Sequence, residues 1–145
     1  MPINVLLVED CPGDVRLTQE AFRELNVCIG LHVVPDGVEA MKFLRNEPGH
    51  SDAPRPDLIL LDLNMPMLDG REVLALIKAD DALKSIPIVI LTTSDAEADI
   101  VNGYQLQANC YLSKPFQLEL FEGLIRSIND FWLTRAKLPK QLQVA

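Results

Sequence analysis

What the chain lacks removes several function classes at once. Its three cysteines, Cys11, Cys28 and Cys110, form no CxxC pair and are odd in number, which argues against a disulfide framework or a zinc knuckle and for thiols in a reducing compartment. Positive charge is scarce: 13 Lys and Arg stand against 21 Asp and Glu, a net charge of −8. A nucleic acid or an anionic membrane surface calls for the opposite balance, because binding either means replacing counterions with Lys and Arg. No apolar run is long enough to cross a bilayer, and Met1-Pro2-Ile3-Asn4 runs into a strand-like segment without a basic leader or cleavage site,. No repeat or low-complexity tract occurs. The expectation is a cytoplasmic protein whose partner is another protein or a small ligand, with no nucleic acid and no membrane.

What is there suffices for one ordinary domain: 145 residues, 48% of them hydrophobic, can bury a core but not two. Short runs rich in Val, Ile and Leu predict strands at Val5 to Val8, Leu31 to Val34, Leu58 to Leu61, Ile88 to Leu91 and Cys110 to Leu112. Between and after them, helical patterns cover Asp14 to Leu25, Val38 to Asn46, Arg71 to Asp80, Glu97 to Leu106, and Leu118 to about Arg135,. Runs such as Leu-Ile-Leu-Leu are apolar on both sides of the strand, as in a parallel sheet covered by helices on both faces. The fold expected is α/β, a three-layer doubly wound sandwich. Its five-stranded parallel sheet has the flavodoxin-like order 2-1-3-4-5. Residues 1–135 form the domain and 136–145 a short C-terminal tail. Gly49 to Pro56, with two prolines and no periodicity, reads as a solvent loop,.

In open α/β sheets ligands bind beyond the carboxyl ends of the strands. After the first strand come Glu9 and Asp10, after the third Asp62, after the fourth Thr92 and Thr93, and after the fifth Lys114 and Pro115. The second strand ends in Pro35-Asp36-Gly37, which offers only a turn. With the first and third strands adjacent, Glu9, Asp10 and Asp62 converge, and their mutual repulsion calls for a hard divalent cation, Mg²⁺ or Mn²⁺, which favours oxygen ligands. Carboxylates and metal on one side, hydroxyl and ammonium on the other, suit phosphoryl transfer to a carboxylate. In this reading Asp62 is the phosphoacceptor. Asp10 and Asp62 bind the cation directly, the Asn64 backbone carbonyl adds a ligand and Glu9 acts through water. Lys114 and a threonine hydroxyl stabilise the phosphoryl oxygens.

Taken singly, each motif has a plain structural explanation. Glu9-Asp10 alone would be a solvated turn, Lys114 an exposed lysine, Thr92 and Thr93 strand residues, and Tyr111 a core residue. Asp62, however, ends a buried strand, an expensive place for an idle carboxylate. His32 and His50 have no partner motif. The last helical pattern puts Phe121, Leu124, Ile125, Ile128 and Trp132 on one stripe and leaves Phe131 and Leu133 off it, which points to a subunit contact.

Val8-Glu9-Asp10, Asp62-Leu63-Asn64-Met65-Pro66 with Asp69-Gly70, Leu91-Thr92, and Tyr111-Leu112-Ser113-Lys114-Pro115-Phe116 resemble the response-regulator receiver domains, the CheY-like superfamily. The resemblance runs from about Asn4 to Ser127. Pro12-Gly13-Asp14, the long loop from Asn46 to Pro56, Leu91-Thr92-Thr93-Ser94 and Phe131-Trp132 are most similar to the small cyanobacterial regulators of phytochrome histidine kinases. The resemblance implies phosphorylation of Asp62 by a histidine kinase in a two-component phosphorelay, Thr92 rather than Thr93 facing the phosphoryl group, a cis peptide before Pro115, and a switch through Thr92 and Tyr111. Gln107-Ala108-Asn109 stands where the family often has Gly-Ala, and Asn tolerates the left-handed turn this requires.

It further implies a protein that is no enzyme beyond phosphoryl transfer to, and hydrolysis from, its own Asp62. The apolar surface left over on the last helix points to a homodimer through the face of the fourth and fifth predicted helices and fifth strand, with Phe131 and Trp132 as contacts. The tail after Pro139 is too short for DNA binding or catalysis, so the output is expected to be a protein contact, phosphate return or dimerisation. Three other readings stand beside this one. An aspartate-nucleophile phosphatase would want a carboxylate where Asn64 stands, and a flavodoxin would want a phosphate cradle where Glu9-Asp10 stands. A receiver that never takes phosphate would act as a binding module.

Overall fold

The computed structural model describes residues 3–25, 29–62, 70–92, 110–113 and 118–130. Five strands, β1 (Ile3–Val8), β2 (Ile29–Val34), β3 (Leu58–Leu61), β4 (Ile88–Thr92) and β5 (Cys110–Ser113), form one sheet of order β2-β1-β3-β4-β5 with every pairing parallel. This is the fold and strand order expected from the pattern of apolar runs. Four helices are described: α1 (Pro12–Glu24), α2 (Gly37–Leu44), α3 (Gly70–Ala79) and α4 (Leu118–Ile128). The predicted helix over Glu97 to Leu106 and the predicted turn of Gln107 to Asn109 lie outside the described residues.

The strict alternation of β1 and β3 divides the core into two layers. Leu6, Val8, Ile59, Leu61, Ile88 and Ile90 face one side, where Ala40, Met41 and Phe43 of α2 and Val73, Leu74 and Ile77 of α3 cover them. Val5, Leu7, Leu58, Leu60 and Val89 face the other, against Ala21 and Phe22 of α1 and Ile125 and Ile128 of α4. The 3.6-residue period is visible in what each helix buries: Thr18, Ala21 and Phe22 in α1, Gly70, Val73, Leu74 and Ile77 in α3,.

Two local features go beyond the sequence reading. Asp36, taken as part of a bare turn, is the N-cap of α2, and its Oδ1 accepts from the Glu39 N–H at 2.8 Å, which satisfies a donor the helix itself leaves open. The loop between α2 and β3 is tied down rather than free. Asn46, at φ 52°, donates through Nδ2 to the Ala53 carbonyl at 2.8 Å. His50 Nε2 meets Glu39 Oε2 at 2.7 Å while its ring packs on Phe43, centroids 5.6 Å apart. Arg55 donates to the Ala82 carbonyl and to Ser85 Oγ.

At the amino end of the sheet, buried Asp57 accepts from the Asn4 N–H at 2.9 Å and returns its own N–H to the Asn4 carbonyl at 2.7 Å. The Asn4 side chain reaches His32 Nε2 at 3.1 Å. Both histidines therefore have structural partners.

Two measurements test this scaffold. A Cβ on Gly30 would stand 2.8 Å from Asn4 Oδ1, so Gly30→Ala is expected to disturb the Asn4–His32 contact. The expected destabilisation is about 1–3 kcal/mol, read as a lower urea midpoint at unchanged slope. The hydrogen bond from His50 first, and then the Lys42 and His50 charges, hold the Glu39 carboxyl below its ordinary value. That contribution is therefore present above the usual carboxylate range and lost as pH falls through the lowered folded value. The urea midpoint of Glu39→Gln should lie below wild type at pH 7 and converge on it in acid.

Candidate functional site

The site is built where two central strands stop. Val8 and Leu61 are partners in the β1–β3 register, and the chain is still held at the next residue on each: the Asp62 N–H donates to the Val8 carbonyl at 3.1 Å and the Glu9 N–H to the Val34 carbonyl at 3.1 Å. Glu9 and Asp62 thus leave the sheet side by side, and Asp10 follows. One carboxylate oxygen from each of Glu9, Asp10 and Asp62 lies within 4.8 Å of the other two. Glu9 is 3% exposed and Asp62 7%, whereas Asp10 is open to solvent.

Burial turns this proximity into a chemical demand. Two unit charges at such a separation repel by on the order of 3 kcal/mol at an effective dielectric near 20, and withdrawal from water adds to the cost. Three hard oxygen donors around one point, one of them facing solvent, fit a small divalent cation that keeps several of its waters. Among the described residues the donor set has neither imidazole nor thiolate, the ligands that a softer metal favours,.

One oxygen of Glu9 has a further partner. The Cys11 N–H, at the N-cap of α1, donates to Glu9 Oε2 at 3.3 Å. Sequence reasoning passed over Cys11 because its role runs through the backbone. Asp57 and the Asn4–His32 pair were missed as well, since a buried carboxylate ahead of a strand carries no motif.

The other sequence-predicted residues are placed as follows. Thr92 is the last residue of β4, paired in register with Ser113, and Tyr111 lies in β5 opposite Ile90; their side chains are outside the description. Thr93, Asn64, Lys114, Pro115, Phe131, Trp132 and Leu133 lie outside the described residues. The structure thus brings together Glu9, Asp10 and Asp62 and sets β4 beside β3, on the flank of Asp62 away from Glu9.

Comparison with known proteins agrees with this geometry. The family model described as the response regulator receiver domain matches residues 5–126. The response regulator Rcp1 of Synechocystis sp. (strain ATCC 27184 / PCC 6803 / Kazusa) is 46% identical over 138 residues, covering 95% of this chain and 94% of that protein. The crystal structure of the phosphorylated cyanobacterial phytochrome response regulator RcpA superposes with a TM-score of 0.92 at 48% identity, over 96% of this chain and 99% of the other. The Mn²⁺-bound form of Rcp1 gives a TM-score of 0.90 at 46% identity, over 95% and 99%.

A cation that relieves the repulsion should stabilise the folded state alone. At a concentration tenfold above its dissociation constant, Mg²⁺ is expected to add about 1.4 kcal/mol, seen as a rise of a few degrees in the thermal midpoint. Asp10→Asn should lose most of that rise while folding normally, since Asp10 is exposed. An equal Mg²⁺ response in both proteins would place the cation elsewhere.

Proposed function

Because this chain belongs to the response regulator receiver domains, we propose that Asp62 is its phosphoacceptor and that a phosphohistidine of a histidine kinase is the donor. The observation that carries this reading is the buried Asp62 carboxylate at the end of a central strand, within 4.8 Å of two further acids. One Asp62 oxygen attacks phosphorus in line, the new O–P bond forms as the P–N bond breaks, and the imidazole leaves with the electron pair. Asp10, Asp62, the Asn64 carbonyl and, through water, Glu9 would hold a divalent cation, Mg²⁺ or Mn²⁺, whose charge would offset that gathered on the phosphoryl oxygens. Lys114 pairs with one of those oxygens and the Thr92 hydroxyl donates to another. Hydrolysis of the acyl phosphate later regenerates Asp62, so the chain acts on its own side chain and on no separate substrate.

Signalling then follows from a two-state equilibrium. Thr92 moves toward the phosphoryl group, Tyr111 changes rotamer, and a few kcal/mol of differential interaction is enough to shift the populations. The face formed by β5 and the predicted helices on either side of it is the output surface and the homodimer contact, with Phe131 and Trp132 in it, and the output is a protein contact, a return of phosphate or a change in dimerisation. Residues 1–135 make up the receiver and 136–145 a tail. The likeness to RcpA and Rcp1 supports a phytochrome-type histidine kinase as the partner. The exposed unpaired thiol of Cys11 supports a reducing compartment, the cytoplasm.

The test is incubation with acetyl phosphate and Mg²⁺, followed by intact mass and size-exclusion chromatography. Wild type should gain one phosphoryl group, ~80 Da, as expected for an aspartyl phosphate, and Asp62→Asn none. Lys114→Ala should accumulate it at least about tenfold more slowly. Earlier elution of the phosphorylated form would identify dimerisation as the output. An unmodified wild type under every condition leaves a receiver that binds partners without phosphate.

A further inference from the structure

We propose that the backbone N–H of Cys11 is a positioning group for the cation site, coupling the N-terminus of α1 to the Glu9 carboxylate. The proposal rests on the reading that Glu9, Asp10 and Asp62 take a divalent cation. Helix α1 begins without a side-chain cap. Its N-cap, Cys11, makes no side-chain cap, and Pro12, at the first helical position, has no N–H to offer,. In a capping box the N-cap N–H receives an acid from inside the helix. Here that N–H goes to Glu9 Oε2 at 3.3 Å, an acid two residues before the N-cap.

The positive end of a 13-residue helix therefore faces a carboxylate that is 3% exposed and belongs to a cluster of three. A glutamate has more rotamer freedom than an aspartate. An acid that acts on a cation through water, not directly, depends on being held in place. Outer-shell groups of this kind, here the water-bridged Glu9 and the donor that orients it, typically govern metal affinity by a factor of about ten or more. Cys11 is thus placed here for its amide, while its exposed thiol plays no part.

Cys11→Pro removes the N–H at a residue whose φ of −84° and ψ of 111° are close to what proline adopts. Mn²⁺ affinity of the unphosphorylated protein, read from the EPR signal of free Mn²⁺, is expected to fall about tenfold with the far-UV circular dichroism unchanged. In a Glu9→Ala background the same substitution should add nothing, because the amide acts only through that carboxylate. If Cys11→Pro fails to fold, replacing the residue 10–11 amide by an ester, with the side chain kept, removes the same donor and is read the same way.

Cys11→Ala keeps the N–H, so a loss equal to that of Cys11→Pro would assign the effect to the thiol and overturn the proposal. Unchanged affinity on removal of the N–H, or an undiminished loss in the Glu9→Ala background, would overturn it too. A wild type that binds no Mn²⁺ overturns instead the metal-site reading on which the proposal rests.

Discussion

The structure depends on the parallel pairing of β1 with β3 at the centre of the sheet. Because both strands are covered on both faces, neither can slip by one residue without turning Leu6, Val8, Ile59 and Leu61 out of one layer and into the other,. The register that the core enforces is therefore also the register that stops both strands together and delivers Glu9 and Asp62 as neighbours. Hydrocarbon packing sets where the backbone carries Glu9 and Asp62, so their repulsion cannot be relaxed by sliding one strand past the other.

A site of this kind is held together by forces that oppose its own charge. Core burial brings three carboxylates to one place, the α1 N-terminus meets one of them, and a divalent cation suits what remains unbalanced,. Asp10 keeps the cluster open to water, which suits an ion that exchanges ligands slowly and retains part of its hydration shell.

Much of this was legible in the chain. Continuous apolar runs such as Leu58 to Leu61 identify strands buried on both faces, and the acids directly after Val8 and Leu61 identify the binding edge once strand order is assigned. The limits of α1, α2 and α3 moved by one or two residues because ends are set by local chemistry rather than by the apolar stripe: Pro12 starts α1 two residues before the predicted Asp14, and Asp36 fixes the start of α2, while the predicted stretch of the last helix beyond residue 130 lies outside the described residues. The tethers of the loop after α2 were not legible. Asn46, His50 and Arg55 are ordinary polar residues in sequence and gain meaning only from partners at Ala53, Glu39 and Ser85. Asp57 was hidden likewise, since its partner Asn4 is 53 residues away.

The tied loop also bears on how the molecule can be rebuilt. A proline-containing stretch between a helix and a strand is where a protein engineer would first insert a reporter or open new termini, because such segments usually tolerate it. Here the stretch clasps α2 through Glu39 and the connection after α3 through Ser85, so a graft between residues 46 and 55 would cut the bracing of one whole flank of the sheet. The permissive place for a fusion has to be sought by counting tethers, not by counting turns.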